Sequence, residues 1–506
     1  MLEVLREDLG VRSAKDGCSP QGQCGCCTVL VDGAPRVACV TAVRRVAGRS
    51  VVTADGLAPE TADRLVGAFG RHGASQCGFC TPGILCRLSA LGPTPTPGQV
   101  ESALLAHLCR CTGWRSIVDA ACSDDGGAPG SPPPASVSAR RAEIEGGAPQ
   151  ATGDQVVMGR GAFADDHAPP GCLVAVPDGA GGWAVGENVA AARAAAGKVQ
   201  GRRSGRQLTY PIDVPPGKWD LTLQTTWVEP AYLEPDASWC RPGGVPAHPA
   251  GNGGAFGGKV ASLAPAAARE LADRYGRPVR VVFSREDVVR LGPKRPPVAA
   301  GVRADGTGVI RTAAAPGITE AIRAVAPGLE VEEVAVAGPP VSTAIRAAGW
   351  AEAAVLTAAA AGLETTVDGR ARAVVTGPAG GRAEAEVEVD ASGRPTGVAV
   401  RVDGGHPLDE VVLRSYVYGA VHMALGWVCS EAIAVGADGV PEDLTIRSFG
   451  ILRARDLPPV VITIEAADPS GPAVNASDAA FAAVAAATWM AQGRPPQWPT
   501  RRGRMS

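Results

Sequence analysis

The chain has few aromatic residues, little net charge and no long apolar run. Aromatic residues make up 4% of the 506, and 48 Lys and Arg nearly balance 51 Asp and Glu, which gives a net charge of −3. This balance favours neither nucleic acid nor an anionic membrane surface as a partner. No stretch approaches the roughly 18 consecutive apolar residues of a membrane-spanning helix, and the first residues lack a signal peptide's basic and apolar regions. We therefore expect a cytoplasmic protein.

Cysteine, by contrast, is abundant and unevenly distributed. The chain has 14 cysteines, and 11 of them precede residue 123. In a protein expected to be cytoplasmic, this usage indicates metal or redox chemistry rather than a framework of disulfides. A length of 506 residues is also too great for one ordinary core and predicts two or three domains.

Four cysteines lie on a glycine-containing loop and the predicted hairpin that follows it. Cys18, Cys24 and Cys27 come from the loop, and Cys39 comes from the second strand of the hairpin. This spacing resembles the plant-type [2Fe–2S] arrangement, although the first gap is one residue longer than usual. Cys26 lies between two of these positions, and we expect a bystander there that could substitute for a neighbouring ligand.

A second set of four cysteines follows in a predicted helical unit. Cys77 and Cys80 form a Cys-x-x-Cys pair just before one predicted helix, and Cys109 and Cys111 form a Cys-x-Cys pair near the end of the next. Helix N-termini present free N–H groups and a positive dipole end, which favour anionic thiolates. The pattern predicts a second [2Fe–2S] site with four thiolate ligands.

Structural zinc is the alternative for both sets. Zinc sites commonly pair two Cys-x-x-Cys knuckles, so a Cys-x-Cys half next to a ferredoxin-like loop favours iron and sulfur instead. A zinc-stabilised interaction module stays open and predicts a colourless protein. The remaining cysteines are isolated, and we expect small buried apolar residues there; they are Cys86, Cys122, Cys172, Cys240 and Cys429.

The rest of the chain begins with a change in composition. Residues 123–150 are rich in Gly, Pro, Ser and Ala, which predicts a flexible linker and a domain boundary. Further on, five glycines fall within residues 251–259, and such a loop lets backbone N–H groups approach a ligand closely. It is neither a Walker A loop, because of Val260, nor a dinucleotide loop, because of Phe256. His422 is expected to be a core histidine.

Both parts of the chain resemble one family. The two cysteine sets resemble those of the iron–sulfur subunit of the molybdenum hydroxylases, which are the xanthine dehydrogenase, aldehyde oxidase and carbon monoxide dehydrogenase family. The segments 233–235, 253–259 and 284–287 resemble parts of the molybdopterin-binding subunit of the same family. The first resemblance covers residues 2–121, and the second is spread over 158–500.

The resemblance implies an α+β fold in several parts. We expect a truncated plant-type ferredoxin (β-grasp) domain at 1–60, without its opening hairpin, and a helical [2Fe–2S] domain at 61–122. The linker at 123–150 would then lead to an α+β molybdopterin-binding lobe at 151–506. This lobe is about half the family's usual length.

The family's chemistry is hydroxylation of a substrate carbon with oxygen derived from water. The resemblance implies two [2Fe–2S] clusters and a molybdopterin cofactor, with the second cysteine set nearest the pterin. Gln76 would hydrogen-bond the pterin, and the glycine-rich loop would face the cofactor through Gly254, Ala255, Phe256 and Gly257. The substrate would be a purine, an aldehyde or an N-heterocycle. Electrons would pass to an FAD-binding subunit or another acceptor, since we find no FAD domain in the sequence.

Several departures from the family concern catalysis. The family's base is a Glu in a turn before the last helix, but the corresponding residues 470–474 contain no carboxylate, and Asp468 and Asp478 lie outside that turn. Arg346 is kept without its close-approach glycine, and residues 415–416 replace a Gly-Gln pair. No catalytic residue is therefore assigned. Two functions follow, namely a molybdenum-dependent oxidoreductase and, as the alternative, a non-catalytic electron-transfer subunit that lacks the base.

Overall fold

The structure is a computed structural model that describes residues 1–123, 133–197, 207–363, 369–465 and 471–501. Asp468 and part of the predicted linker, residues 124–132, lie outside the described residues. Among the described residues, no helix combines the length and the apolar character needed to cross a membrane.

The first cysteine set belongs to a small antiparallel sheet. Its strands are β1 (Thr28–Val31), β2 (Ala34–Val37) and β3 (Val51–Val52), in the order β2-β1-β3. A helical segment at Val4–Asp8 covers the sheet, and Leu2 and Leu5 pack with Val29 and Val31 in a separate small core. These elements leave the loop before β1 free to wrap around its cysteines.

The second cysteine set belongs to a helical unit. Its helices are α1 (Pro59–Arg71), α2 (Thr81–Ser89), α3 (Pro97–Ala103) and α4 (Arg115–Cys122). The Thr96 side chain and Gln99 form a capping box that begins α3, as expected for a Thr three residues before a Gln. Cys80 is the residue before α2, as predicted. Cys109 and Cys111 lie in a loop after α3 and a short 3-10 turn rather than at a helix end.

The expected linker is partly helical, which corrects the prediction for those residues. Helix α5 (Ala135–Gly146) packs against a long helix of the lobe. Arg141 and Glu145, one turn apart on α5, are both buried and form an ion pair. The Glu145 carboxylate also accepts hydrogen bonds from the backbone N–H groups of Ala476 and Ser477. A Gly- and Pro-rich composition did not reveal these buried polar contacts.

In the described part of the lobe there are three four-stranded sheets, which helices cover. The sheet orders are β5-β4-β8-β7, β11-β10-β9-β6 and β12-β13-β14-β15. The strands are β4 (Leu173–Pro177), β5 (Trp183–Gly186), β6 (Leu221–Gln224), β7 (Ala237–Cys240), β8 (Val279–Val282), β9 (Val298–Val302), β10 (Gly308–Ala313), β11 (Leu329–Val334), β12 (Arg370–Thr376), β13 (Arg382–Val389), β14 (Pro395–Asp403) and β15 (Val460–Ile464). The helices are α6 (Asp154–Val157), α7 (Val189–Ala196), α8 (Ala264–Tyr275), α9 (Arg285–Leu291), α10 (Ile318–Arg323), α11 (Trp350–Ala361), α12 (Glu410–Cys429) and α13 (Ser477–Ala491).

The centre of the lobe is a pair of buried helices on a half-buried sheet. Strand β13 alternates, with Ala383, Ala385 and Val387 buried and their neighbours more exposed, because successive side chains of a strand point to opposite faces. Helix α13 lies on this sheet and also packs against α11 and α12. Its many alanines allow close approach on every side. The N-terminus of α13 is thereby fixed beside the glycine-rich loop region.

Candidate functional site

The first set of four thiols meets within one loop. Side-chain hydrogen bonds join Cys18 to Cys24 and to Cys39, and Cys39 to Cys27. Backbone N–H groups also point inward, and Gln21 and Gln23 donate to the Cys18 Sγ at 3.3 and 3.5 Å. This inward turn of the backbone is possible because Gly22 and Gly25 have positive φ.

The second set of four thiols meets between α2 and the loop before α4. The Cys77 and Cys111 sulfurs are 3.5 Å apart, and Cys80 and Cys109 form the other pair. The Thr112 hydroxyl is 3.1 Å from the Cys109 Sγ. Hydrogen bonding from Cys80, with a further contribution from Thr112, lowers the pKa of the Cys109 thiol to about 6. Hydrogen bonding to the partner thiols Cys109 and Cys77, together with burial, raises the pKa of the Cys80 and Cys111 thiols in turn.

The arrangement of the thiols bears on the choice between a two-iron cluster and zinc. Structural zinc requires four ligands around a single ion, whereas a [2Fe–2S] cluster has two irons that share four thiolates. The second set forms two pairs of buried thiols, whereas the thiols of the first set contact one another in a chain that includes the half-buried Cys39. The ligand assignments themselves remain predictions.

The two cysteine sets are joined directly through the backbone. The Leu108 N–H donates to the Cys24 carbonyl at 3.0 Å, so the residue before Cys109 touches a predicted ligand of the other set. A Cβ on Gly83 would lie 2.4 Å from the Gly25 carbonyl oxygen, which shows how closely α2 approaches the first loop. Cys26 is buried between the sets and contacts Cys24.

The isolated cysteines largely match the expectation of apolar burial. Cys86, Cys172, Cys240 and Cys429 are buried, and Cys122 is half-buried. His422 is fully buried as well, and its Nε2 lies 3.0 Å from the Leu452 carbonyl.

The predicted pterin residues lie directly against the second cysteine set. The Gln76 amide donates to the Cys111 carbonyl at 2.9 Å and to the Ser415 hydroxyl at 3.0 Å, while its buried Oε1 has no partner among the described residues. A Cβ on Gly254, at φ +79°, would lie 2.7 Å from the Cys77 Cβ. The glycine-rich loop thus packs on the thiols themselves.

The space around this loop tests whether a pterin fits. A cavity of about 10 Å³ lies between Cys77, Cys111 and Gly254, and one of about 30 Å³ lies beside Phe256 and Arg346. Each holds a few water molecules at most, whereas small-molecule sites usually enclose roughly 300 Å³ or more. The unpaired Gln76 oxygen offers an acceptor for a pterin N–H. The packing nevertheless leaves no room, so a pterin does not fit this arrangement of the loop.

Phe256 and Gly257 are held in place by the lobe. Phe256 has φ +46°, and its carbonyl accepts a hydrogen bond from the Arg346 N–H at 3.0 Å. A Cβ on Gly257 would lie 1.6 Å from the Ala344 carbonyl oxygen. Ala255 is buried with the neighbouring sheet. This part of the loop is tightly packed against protein.

Buried ion pairs line the small cavities, and no sequence motif points to them. Arg110, between two predicted ligands, binds Glu431 through two contacts of 2.5 and 2.7 Å. Both side chains are almost fully buried. Only the fold brings these residues together, because they lie 321 positions apart.

Asp478 also faces this region. Its carboxylate accepts a hydrogen bond from the Arg346 Nε at 2.7 Å, and burial raises its pKa, against the effect of Arg346. Asp478 lies outside the turn that matches the family's base, but its partner Arg346 lines the 30 Å³ cavity.

Comparisons with known proteins match the cysteine-bearing region by sequence and the whole chain by fold. A family model described as a [2Fe-2S] binding domain matches residues 53–122. The nicotine 6-hydroxylase small subunit of Paenarthrobacter nicotinovorans is 42% identical over 123 residues, which are 24% of this chain and 74% of that protein. The nicotinate dehydrogenase small FeS subunit of Eubacterium barkeri is 39% identical over 121 residues, which are 23% of this chain and 76% of that protein.

The fold of the whole chain resembles a solved structure. The aldehyde oxidoreductase from Desulfovibrio gigas superposes with a TM-score of 0.72 at 16% identity, and the match covers 100% of this chain and 97% of that one. At this identity the match describes the fold alone. The α+β architecture expected from the sequence is confirmed by it.

Proposed function

Because this chain belongs to the molybdenum hydroxylase family, through its match to iron–sulfur subunits of that family, we propose that it relays electrons through two [2Fe–2S] clusters. Membership also makes it part of an oxidoreductase. The proposed ligands of the two clusters are Cys18, Cys24, Cys27 and Cys39 for the first, and Cys77, Cys80, Cys109 and Cys111 for the second.

The observation that carries this proposal is the contact among the four thiols of each set. A bound cluster of this kind accepts one electron and gives it back. The chain contributes the thiolates, the N–H groups that point at sulfur, and the exclusion of water from seven of the eight thiols. The Leu108–Cys24 hydrogen bond provides a short connection between the two sets. Thiols that must stay reduced favour the cytoplasm as the compartment.

Molybdenum-dependent hydroxylation is the more specific candidate function. It is supported by the unpaired, buried Gln76 Oε1, which would accept a hydrogen bond from a pterin. Two relatives are named for nicotine and nicotinate, so an N-heterocycle leads the substrate classes, ahead of purines and aldehydes. An FAD-binding subunit is the proposed acceptor. This candidate requires residues 251–259 to move away from Cys77, and the non-catalytic electron-transfer subunit is the alternative without that movement.

Metal analysis of the purified protein tests these proposals. Two clusters predict about four iron atoms per chain, and one molybdenum per chain in addition would support hydroxylation. Four iron atoms without molybdenum, on protein from a cofactor-competent host, would favour the electron-transfer subunit. Zinc in place of iron would overturn both. Bleaching of the visible absorption by nicotinate, but not by buffer alone, would independently support a catalytic lobe.

A further inference from the structure

A fifth thiol lies against the first cysteine set, although it is not one of the four predicted ligands. Cys26 is fully buried, and its side chain hydrogen-bonds that of Cys24, a predicted ligand. Its Sγ lies 3.8 Å from the Cys24 carbonyl oxygen as well. A Cβ on Gly17 would lie 3.1 Å from the Cys24 Sγ and 3.2 Å from the Cys26 Sγ, so the two sulfurs flank one point of the backbone. The fold therefore places Cys26 beside a ligand sulfur.

The surrounding backbone holds Cys26 in this position. The Lys15 N–H donates to the Cys26 carbonyl at 3.3 Å, and a Cβ on Gly83 of α2 would lie 2.8 Å from the same oxygen. A Cβ on the preceding residue, Gly25, would lie 2.5 Å from the His107 ring. Because other segments pack so closely on both residues, the Cys26 side chain has little freedom to move away from the first set.

Cys26 also lies near the second cysteine set. Its sulfur is close enough to Cys109 and to Cys80 for their charges to affect one another. The charges of Cys18 and Cys27 act on it from the first set. A dipole at Cys26 therefore acts unequally on the two sets, because it contacts a sulfur of the first set and reaches the second set only through space, where the interaction weakens with distance.

A thiol beside a cluster ligand affects how readily the cluster is reduced. The S–H group donates a weak hydrogen bond, and hydrogen bonds to the sulfurs are among the features that set the reduction potential of a [2Fe–2S] cluster. An added electron increases the negative charge on the ligand sulfurs, so a donor stabilises the reduced form more than the oxidised form. Burial strengthens this effect, because the hydrogen bond lies in a medium of low dielectric constant.

We propose that Cys26 is a positioning residue that raises the reduction potential of the first cluster through a hydrogen bond to the Cys24 sulfur. This role rests on the proposed clusters. An electron shared between the two clusters then favours the first, which is reduced by one electron as the second is oxidised by one electron. Cys26 acts here as a donor, and not as the substitute ligand that the sequence left open.

A redox titration of the full-length protein, followed by electron paramagnetic resonance, measures the potential of each cluster. The signal that persists in Cys109→Ser identifies the first cluster. Cys26→Ala removes the donor, and Cys26→Ser replaces it with a hydroxyl, which also donates. The matched control is Cys86→Ala, at a fully buried cysteine. Burial, with a contribution from Asp55 rather than from another thiol, raises the pKa of Cys86 to about 12.

We expect Cys26→Ala to disfavour reduction of the first cluster at least about threefold, which for one electron is a fall of about 28 mV at about 59 mV per tenfold. The potential of the second cluster should shift less. Cys26→Ser should stay at or above the potential of the unaltered protein, and Cys86→Ala should leave both potentials unchanged. An unchanged first potential in Cys26→Ala would overturn the proposed role. Equal shifts in the Ala and Ser variants would also overturn it, since lost packing would then explain both.

Infrared difference spectra of the unaltered protein give a second measurement that does not depend on a variant folding. The S–H stretching band of Cys26 should move to lower wavenumber when the first cluster is reduced, because the ligand sulfur becomes a stronger acceptor. This moving band should be missing from Cys26→Ser. If no S–H band moves on reduction, Cys26 makes no hydrogen bond to the ligand and its proposed role is wrong.

Failure of the clusters and failure of the Cys26 role give different results. If the unaltered protein holds little iron and shows no signal after reduction with dithionite, the proposed function itself is wrong. If the unaltered protein holds both clusters and only the Cys26 variants lose the first, Cys26 is a ligand and its role as a donor is wrong.

Discussion

The cysteine-bearing region, residues 1–122, and the lobe from residue 151 onward obey different constraints. The first region is 42% identical to a small subunit over 123 residues, while the fold of the whole chain matches aldehyde oxidoreductase at only 16% identity. In the first region, thiols and positive-φ glycines have to occupy fixed positions, because a cluster tolerates few alternative ligands. In the lobe, alternating strands and small-residue helices preserve the fold through many different sequences.

The two regions also differ in how they treat buried polar groups. The thiols of the first region mostly contact one another and backbone N–H groups, which is an arrangement suited to binding a metal. The buried charges of the lobe are paired within the protein, for example Arg295 with Glu352 and Lys259 with Glu234. Residues 1–122 thus present thiols suited to binding a cofactor, whereas the lobe pairs its buried charges internally.

The largest expected effect is the loss of one cluster. Cys109→Ser should remove the second cluster and leave the ferredoxin-like one, because an iron with one thiolate fewer is poorly held. Iron should fall from about four to about two atoms per chain, with one of two electron paramagnetic resonance signals lost. Cys122→Ser, at an isolated half-buried cysteine, is the control and should keep both. Two signals in Cys109→Ser would show that the ligand assignment is wrong.

The next largest effect concerns the buried ion pair that connects the two regions, Arg110 with Glu431. Arg110→Met should destabilise the protein by about 3–5 kcal/mol, because it leaves the Glu431 carboxylate buried without its partner. Urea unfolding followed by tryptophan fluorescence measures this change, with iron content checked alongside. The double variant Arg110→Met/Glu431→Met should recover most of the loss. A double variant as unstable as the single one would mean that lost packing, rather than the unpaired charge, dominates.

A smaller effect concerns the loss of folding stability at acidic pH. Burial, with a further contribution from Arg110, lowers the pKa of His422 to about 3. The unfolded chain binds this proton below about pH 6.5, so stability is lost as pH falls from about 6.5 towards 3. Between pH 7 and pH 5 the loss should be about 2 kcal/mol.

His422→Gln isolates that contribution. Glutamine can still donate to the Leu452 carbonyl, which lies 3.0 Å from the His422 Nε2, but it does not titrate. Urea unfolding at pH 7 and pH 5 should therefore show a smaller difference for the variant than for the unaltered protein. Identical pH dependence would argue against a neutral buried histidine.

The smallest effect belongs to an exposed ion pair of the same chemistry as Arg110–Glu431. Glu270 and Arg274 lie one turn apart on α8, both largely exposed. Glu270→Gln should change the unfolding free energy by less than about 0.5 kcal/mol, since water already solvates both charges. A change above about 1 kcal/mol in the same urea experiment would weaken the argument that burial makes the Arg110 pair important.

Prediction from sequence succeeded where ligands follow one another closely along the chain. The Cys-x-x-Cys and Cys-x-Cys spacings picked out the thiols that meet in the second set, and the loop-and-hairpin spacing picked out those that meet in the first. It failed at α5, where a segment with linker composition also carries Arg141 and Glu145, which become buried beside the N-terminus of α13. Composition counts residues but does not say which of them will meet a distant partner.

The sequence by itself determined the cysteine sets, the glycines that let backbone N–H groups point at sulfur, and the family. The tertiary structure alone decided that Glu431 closes on Arg110, that Gly254 lies on Cys77, and that Cys39 is the exposed thiol. The physical reason is the separation along the chain. Local spacing and backbone geometry fix what a few neighbouring residues can hold, whereas contacts between residues hundreds of positions apart depend on how entire sheets and helices pack.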